Sequence, residues 1–211
     1  MRYIPKLSAG EIEENHKHFE ERLSLYKEKG LDFFESRKFI LEKAKPLEGS
    51  ILELGTGTGY TTLALAKAGH KIISIDKDKE TLKTAALNLA YANVLSSAKF
   101  YVMDAKRLTF KNSNFNNVVA VNLFHHIDSA NKMFAEIDRI LAANGKIVLS
   151  DFNKRGMDTV DAVHKKEGRV HENKFITRVD VSSHFCGLGY KIKSFETRCH
   201  WVLIGTKTIQ K

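Results

Sequence analysis

From residue 50 to residue 150, short runs of apolar and β-branched residues alternate with longer segments in which apolar residues recur every three or four positions. A short apolar run bounded by turn residues predicts a buried β-strand, whereas the longer spacing predicts an amphipathic helix. The predicted strands are Ile51 to Leu54, Lys71 to Ile75, Lys99 to Val102, Asn117 to Leu123 and Lys146 to Ser150. This alternation predicts a parallel sheet flanked by helices.

Three helices are predicted between these strands, and turn residues mark their ends. The helices are Thr61 to Ala68, Lys79 to Ala92 and Ser129 to Ala142. Asp78 and Asp128 precede the second and third helices as candidate N-caps, because a carboxylate accepts hydrogen bonds from the unpaired N–H groups of a first turn. Gly69 and the pair Asn144-Gly145 are expected to end the first and third helices, since both residue types tolerate a left-handed backbone.

The segments on either side of this region have a different pattern. Residues 11 to 45 are highly charged, and their apolar positions suit two amphipathic helices separated near Gly30, which we expect to cap the core. After the fifth strand the pattern is irregular until Tyr190 to Phe195 and His200 to Thr206, two apolar runs that favour an antiparallel hairpin. We expect residues 151 to 185 to form an insertion at the sheet edge where open α/β folds bind ligands.

Composition narrows the class of protein. The chain has 211 residues, 43% of them apolar, which suffices for one hydrophobic core, so a single domain is expected. There is no run of about 18 apolar residues and no secretory signal pattern, which favours a cytoplasmic protein without a membrane span. The two cysteines are expected to be reduced. The net charge of +9 is spread thinly, so a nucleic-acid partner is possible but not favoured.

The strongest ligand-site signal is ILELGTGTGY at residues 51 to 60, which runs from a predicted strand through alternate glycines into a predicted helix. Glycines there allow a tight turn and close approach of the backbone to a ligand. A dinucleotide-binding loop reads G-x-G-x-x-G, and Tyr60 holds the position of its third glycine, which argues against NAD. Glu53, two positions before the first glycine, suits a ligand with an ammonium group, such as S-adenosylmethionine (SAM).

Two aspartates follow predicted strands at the same edge of the sheet. Asp76 ends the second strand, where its carboxylate can accept hydrogen bonds from both hydroxyls of a ribose. Asp104 follows the third strand and can accept a hydrogen bond from an adenine amino group. The alternative for Asp76 is a helix cap, a role that Asp78 fills better, and the alternative for Asp104 is an ordinary loop residue.

The chain resembles the class I SAM-dependent methyltransferases over residues 49 to 152, specifically the small-molecule branch that includes the ubiquinone and menaquinone biosynthesis methyltransferases. Glu53 to Gly59 is similar to the family's acidic G-x-G-x-G motif. FNNVVAVNLFHHI at 115 to 127 resembles its fourth strand, and FAEIDRILAANGKIVLSDF at 134 to 152 resembles its following helix and fifth strand. The resemblance implies a Rossmann-like, doubly wound, mostly parallel seven-stranded sheet with a C-terminal antiparallel hairpin and N-terminal capping helices.

The resemblance also implies a SAM site. The implied cofactor-binding residues are Glu53, Gly55, Thr56, Gly57, Gly59, Asp76, Lys77, Asp104, Ala105 and Asn122. His125 and His126 end the fourth strand near the expected methyl group and are the candidate catalytic residues. Either one could act as a base or orient an acceptor, or the two could shape the pocket through hydrogen bonds to the backbone. Tyr60, Phe124 and Phe152 are candidates for a cation–π contact with the sulfonium.

Nine histidines raise the question of a metal site. His16 and His18 near the amino terminus, and Asp161, His164 and His171 in the insertion, have none of the spacings of known metal motifs. His16 and His18 are two positions apart on a predicted helix, so their side chains face different ways. No metal is therefore expected.

The favoured function is transfer of the methyl group of SAM to a small-molecule acceptor. We expect residues 1 to 45 to form a helical cap, 50 to 152 the cofactor-binding core, and 153 to 211 the acceptor-site insertion and terminal hairpin. One alternative is an RNA or protein methyltransferase, which the positive charge keeps open. The other is a SAM-binding protein without catalysis. The acceptor and the oligomeric state stay open at this point.

Overall fold

The computed structural model describes residues 1–168 and 176–207, and in these ranges it shows one eight-stranded sheet with helices on both faces. The strands are β1 Arg2–Tyr3, β2 Ile51–Leu54, β3 Ile72–Asp76, β4 Ala98–Val102, β5 Phe115–Val121, β6 Leu141–Phe152, β7 Tyr190–Glu196 and β8 His200–Lys207. Their spatial order is β1-β4-β3-β2-β5-β6-β8-β7. The chain order reverses between β2 and β5, and this is the position at which open α/β sheets form a ligand crevice.

Strand directions agree with the predicted doubly wound sheet. Strands β2 to β6 pair in parallel, whereas β8 runs antiparallel to both β6 and β7. The seven predicted strands are all present, and the terminal hairpin is confirmed. The eighth strand, β1, pairs antiparallel with the edge strand β4. The sequence did not predict it, because two residues are too few to show a periodic pattern.

Seven α-helices are found within the described ranges, together with two short 3-10 turns at Leu95–Ser97 and Phe124–His126. The helices are α1 Ala9–Glu28, α2 Phe33–Ala44, α3 Tyr60–Lys67, α4 Lys79–Tyr91, α5 Asn131–Ile140, α6 Lys154–Lys166 and α7 Arg178–Gly187. The two predicted helices of residues 11 to 45 are therefore confirmed as α1 and α2. The insertion is more regular than expected, since it contains α6 and α7.

The boundaries predicted for the third core helix were wrong at both ends. Helix α5 begins after Ala130, which makes no side-chain capping bond, so Asp128 is not its N-cap. It ends at Ile140 rather than Ala142, because Leu141 already pairs with Phe115 in the sheet. Asn144 has the expected left-handed backbone at φ 60°, but it lies within β6, where the pairing with β5 skips from Leu141 to Lys146.

Side chains alternate between the two faces of the sheet and build a core on each. Leu52 and Leu54 point to the face covered by α5 and α7, whereas Ile51 points to the face covered by α2 and α3. Helix α1 packs on α4, and α2 packs on α3, so the amino-terminal helices cap one side of the domain. Both cysteines are free thiols. No helix in residues 1–168 and 176–207 combines the length and apolar character needed to cross a membrane.

Candidate active site

The carboxyl ends of the parallel strands meet at one edge of the sheet and bring distant polar residues together. Gly55 follows β2, Asp76 ends β3, Asp104 follows β4, Asn122 follows β5, and Asp151 lies near the end of β6. The register of the five strands is continuous across this edge. The candidate site is built here because parallel strands present all their carboxyl ends on the same side.

The glycine loop between β2 and α3 has three residues with a left-handed backbone, Gly55, Gly57 and Gly59, at φ of 76°, 53° and 85°. A Cβ at Gly55 would lie 2.8 Å from the side chain of Leu123, so packing within the protein excludes a side chain there. A Cβ at Gly57 would meet no atom within contact distance, and the Gly57 N–H donates a hydrogen bond to Asp76 Oδ2 at 3.1 Å. The open space beside Gly57 is where a ligand can approach the backbone.

Glu53 lies beneath this loop and is 1% exposed. Its Oε2 accepts hydrogen bonds from Thr62 Oγ1 at 2.5 Å and Ser74 Oγ at 2.6 Å. The hydroxyls of Ser74 and Thr56 are themselves 2.6 Å apart. Burial raises the pKa of the Glu53 carboxyl to about 7, against the opposing effect of the two hydroxyl donors. Glu53 is therefore a buried acid that is sensitive to any positive charge brought into the site.

The two aspartates expected to hold ribose and adenine lie farther along the same edge. Asp76 Oδ1 accepts a hydrogen bond from the backbone N–H of Asp78 at 3.1 Å, and Asp78 caps α4 as predicted. Lys77 is exposed beside them. Asp104 is also exposed and accepts a hydrogen bond from a backbone N–H of its own turn, while Ala105 packs partly buried against the core. These residues lie at the accessible edge of the sheet, outside the walls of the two cavities described below.

A cavity of about 160 Å³ lies between this loop and the capping helices, and we call it the loop cavity. Its wall includes loop residues 55–58 and the side chains of Arg37, Asn122, His125 and Phe152. Asn122 has a left-handed backbone at φ 57°. Its Oδ1 is buried and has no hydrogen-bond donor in the part of the chain that the structure describes. A buried acceptor without a donor indicates a place where a ligand donor is needed.

Aromatic side chains form much of the remaining wall. Tyr60 and Phe152 both line the loop cavity, so both stay candidates for contact with a cationic ligand. Phe124 does not line it: the ring is fully buried and packs against Phe134 and Trp201 in the core. Phe124 therefore contributes to packing and cannot contact a ligand in this cavity.

His125 is held by a carboxylate that the sequence analysis did not single out. His125 is 8% exposed and Asp151 is 3% exposed. Asp151 Oδ1 lies 2.7 Å from His125 Nδ1, and Oδ2 accepts a hydrogen bond from the His125 backbone N–H at 3.0 Å. Because a carboxylate only accepts, Nδ1 carries the proton and the lone pair lies on Nε2. His126 is exposed, lines the loop cavity, and has its ring centroid 4.0 Å from that of His125.

A second, larger cavity of about 430 Å³ lies between the end of β6 and helix α6, and we call it the helix cavity. Its wall includes Met157, Arg178 and Trp201. His125 and Phe152 line both cavities. The arrangement places one imidazole in the wall shared by a cavity at the glycine loop and a cavity large enough for a small molecule.

Asp151 and Arg37 are the two site residues that the sequence analysis missed. Asp151 ends an apolar run at the carboxyl edge of the fifth strand, the same signal that singled out Asp76. Arg37 is buried on the apolar stripe of α2, in line with Phe33 and Ile40. A charged residue at the three-to-four spacing of a buried helix face was the available signal.

The histidines considered as metal ligands lie apart from one another. His16 stacks on Tyr91 with ring centroids 3.4 Å apart, and His164 Nε2 lies 3.2 Å from the Tyr26 hydroxyl. His171 lies outside the described residues. Within residues 1–168 and 176–207 no group of three histidine, cysteine, aspartate or glutamate side chains is arranged to hold a metal ion.

The site's chemistry fits SAM. A zwitterionic amino-acid end needs a donor and an acceptor, and the loop cavity offers the Arg37 guanidinium and the unpaired Asn122 oxygen. The ribose of a nucleoside needs groups that accept hydrogen bonds from its hydroxyls, and the carboxylate of Asp76 lies at the edge of the sheet beside Gly57. The open space beside Gly57 leaves room for a ligand that lies against the backbone between the loop cavity and the Asp76 carboxylate.

Comparison with known proteins agrees with this chemistry. Residues 52–149 match the family described as Methyltransferase domain. The chain is 28% identical over 173 residues to an uncharacterized methyltransferase of Bacillus cereus, covering 75% of this chain and 78% of that protein. It is 24% identical over 158 residues to the mitochondrial ubiquinone biosynthesis O-methyltransferase of Dictyostelium discoideum, covering 66% of this chain. The aligned parts span only 41% and 49% of two of the curated relatives.

The fold is also that of solved methyltransferases. A SAM-dependent methyltransferase of Methanosarcina mazei superposes with a TM-score of 0.61 at 20% identity, covering 81% of this chain and 98% of that one. At this identity the likeness establishes the fold alone. The chain therefore matches the methyltransferase domain family over residues 52–149 and has the fold of solved SAM-dependent methyltransferases.

Proposed function

We propose that this protein is a SAM-dependent methyltransferase that methylates a small-molecule acceptor held in the helix cavity, and that His125 removes a proton from that acceptor. The observation that carries the proposal is the position of His125, which lines both cavities and is oriented by the buried carboxylate of Asp151. The site of methyl transfer then lies at the boundary between cofactor and acceptor.

The glycine loop and the strand ends would hold the cofactor. Asp76 would accept the ribose hydroxyls with Lys77 beside it, and Asp104 with Ala105 would contact the adenine. Glu53, Thr56 and Asn122 would face the amino-acid end, and Gly55, Gly57 and Gly59 would let the ligand lie against the backbone. When bound, SAM supplies a methyl group on a positively charged sulfur, and the protein's task is alignment and exclusion of water.

The acceptor side determines which atoms the enzyme can methylate. A hydroxyl or thiol acceptor loses its proton as it is methylated, and that proton has to be taken up by a base. His125 Nε2 carries the lone pair, and Asp151 stabilises the imidazolium that forms when the proton arrives. An oriented histidine therefore favours an acceptor that has to lose a proton, such as a hydroxyl or a thiol, over a free amine, whose lone pair can attack without losing one. His126, more exposed beside it, would orient the acceptor.

The helix cavity favours a molecule with an apolar body. Met157 and Trp201 contribute apolar wall, whereas its charged residues are of both signs: Lys154, Arg178, Asp151, Asp158 and Asp161. This lining suits a small apolar or aromatic acceptor with a polar group at one end. The volume of the helix cavity matches that of small-molecule sites, which supports a small-molecule acceptor.

The cofactor part of the proposal is tested first by calorimetric titration of the purified protein with SAM, S-adenosylhomocysteine and NAD. Binding of the first two without NAD supports the assignment. Binding of NAD, or of none of the three, contradicts it.

The acceptor part is tested by a screen of phenols, enols, thiols, RNA and protein fractions, with S-adenosylhomocysteine release as the readout. We expect turnover with small hydroxyl or thiol compounds, and about a 10²- to 10⁴-fold lower kcat for His125→Ala. His18→Ala, an exposed histidine on α1, is the matched control and should retain full activity. Turnover only with RNA or protein would replace the small-molecule assignment, and SAM binding without any turnover would indicate a non-catalytic role.

A further inference from the structure

Arg37 is a buried positive charge in the wall of the loop cavity. It lies on α2 and is 3% exposed. Its Nε donates a hydrogen bond to Thr61 Oγ1 at 3.3 Å, and its Nη1 lies 3.4 Å from His200 Nε2. The guanidinium also stacks over the ring of Phe33, with Cζ 5.2 Å from the ring centroid. Burial lowers the pKa of His200 well below its usual range, so all three partners are neutral.

The carboxylates nearest to Arg37 are already engaged elsewhere. Glu53 accepts two hydroxyl hydrogen bonds, and Asp151 holds His125. Across the two described stretches, neither forms a salt bridge with Arg37, although both oppose the fall in its pKa that burial causes. An arginine this deeply buried normally pairs with an anion, because an uncompensated buried charge destabilises the fold.

The other arginine of the same cavity shows the contrast. Arg22, on α1, has its Nε 3.3 Å from Glu167 Oε1, and its Nη2 donates to the Tyr26 hydroxyl at 3.3 Å. The charge of Arg22 is therefore balanced within the protein. The charge of Arg37 is not balanced by a contact within the described residues, and its side chain faces the cavity at the glycine loop.

We propose that Arg37 binds the carboxylate at the amino-acid end of SAM. A planar guanidinium matches a carboxylate with two parallel hydrogen bonds, and such pairs are among the strongest in proteins. The unpaired Oδ1 of Asn122 in the same cavity is the complementary acceptor for the neighbouring ammonium group. The inference rests on the proposed cofactor site and adds the residue that recognises the amino-acid end of the ligand.

The ligand side of the test compares three compounds on the wild-type protein by calorimetry. They are S-adenosylhomocysteine, its carboxamide, and 5′-methylthioadenosine, which lacks the amino-acid carbons. We expect the carboxamide to bind roughly 10- to 100-fold more weakly than S-adenosylhomocysteine, because a charge-assisted hydrogen bond is lost. Equal affinity for the acid and the carboxamide would overturn the proposal, whatever the variants show.

The protein side uses Arg37→Gln, with Arg37→Lys as a second variant that retains the positive charge. Arg37→Gln should lose most of its affinity for S-adenosylhomocysteine while binding the carboxamide and 5′-methylthioadenosine within about 3-fold of wild type. Arg37→Lys should keep part of the preference for the carboxylate. Lys38→Gln removes the same charge from an exposed position on α2 and is the matched control.

The outcomes separate this proposal from the proposed function. An equal loss of all three ligands in Arg37→Gln, or a full carboxylate preference retained in it, would overturn the assignment to Arg37. If Arg37→Gln does not fold, as judged by circular dichroism, a reduced carboxylate preference in Arg37→Lys supports the proposal and an undiminished preference overturns it. Failure of the wild type to bind any of the three would contradict the cofactor site itself. If Arg37→Gln selectively loses affinity for S-adenosylhomocysteine but the wild type turns over no acceptor, the assignment of Arg37 is supported and the proposed methyl transfer is contradicted.

Discussion

The two sides of the loop cavity are held together in different ways. On the glycine-loop side, the polar groups come from nearby parts of the chain, as Glu53 with Thr62 and Asp76 with Gly57. On the capping side, the contacts join distant segments: Tyr26 reaches His164 of α6, and Arg37 reaches His200 of β8. The glycine-loop side, which we call the cofactor side, is therefore a local structure, whereas the capping side exists only once the whole domain has folded.

The largest effect is expected where two distant segments touch without any side chain between them. Gly156 on α6 packs against the turn between β7 and β8, and a Cβ there would overlap the carbonyl oxygen of Cys199. Gly156→Val should lower the free energy of unfolding by about 3 kcal/mol or more, because the clash is with backbone that cannot rotate away. Urea denaturation measures the loss.

The control for this change is a glycine in a helix that has open space around it. A Cβ at Gly10 on α1 would meet no atom within contact distance. Gly10→Val should change the free energy of unfolding by less than about 0.5 kcal/mol. Equal effects at the two positions would show that α6 does not depend on its contact with Cys199.

On the cofactor side the buried acid Glu53 makes stability depend on pH. Its pKa is about 7 in the folded protein, against an ordinary value of 4.5. The stabilising contribution of the protonated form is complete below pH 4.5 and is lost as the pH rises to 7, because the folded protein then has to bury a charge. The difference between these two pKa values corresponds to ~3 kcal/mol in the free energy of unfolding.

Glu53→Gln tests this by removing the titrating group. Between pH 4 and 8, the unfolding free energy of the variant should rise relative to that of wild type by ~3 kcal/mol. Glu20→Gln, an exposed carboxylate on α1, is the matched control and should run parallel to wild type. Parallel curves for Glu53→Gln as well would mean that the carboxyl titrates normally in the folded protein.

The same contrast explains how far the sequence could predict this structure. The glycine loop, the helix cap at Asp78 and the succession of strands and helices along the core follow from local sequence patterns, and all three were predicted. The helix cavity was not, because Met157 and Trp201 are brought together only by the path of the chain after β6. Asp151 was overlooked although its position matches that of Asp76. What marks it is its partner His125, a contact between residues 26 positions apart that no local pattern shows.

Asp76 allows a sharper test on the cofactor side, since Asp78 stands two positions away with a different role. Asp76→Ala should weaken SAM binding by about 1–3 kcal/mol if its carboxylate accepts the ribose hydroxyls. Asp78→Ala should instead lower the free energy of unfolding by about 1 kcal/mol through loss of the α4 cap, with SAM affinity unchanged. Calorimetry with SAM and urea denaturation on both variants separate the two roles. Unchanged affinity in Asp76→Ala would reject the ribose assignment.

The smallest expected effect lies on the capping side, at a position where local propensity alone acts. Gly10→Ala in the first turn of α1 adds a methyl group in open space and restricts the unfolded chain. The free energy of unfolding should rise by about 0.5 kcal/mol, measured by urea denaturation at constant pH. A loss instead of a gain would show that α1 makes close contacts at Gly10. The capping side would then depend on long-range packing at Gly10 as well as at Glu11, which both bonds with Ser8 at the helix cap and pairs with Lys83 of α4.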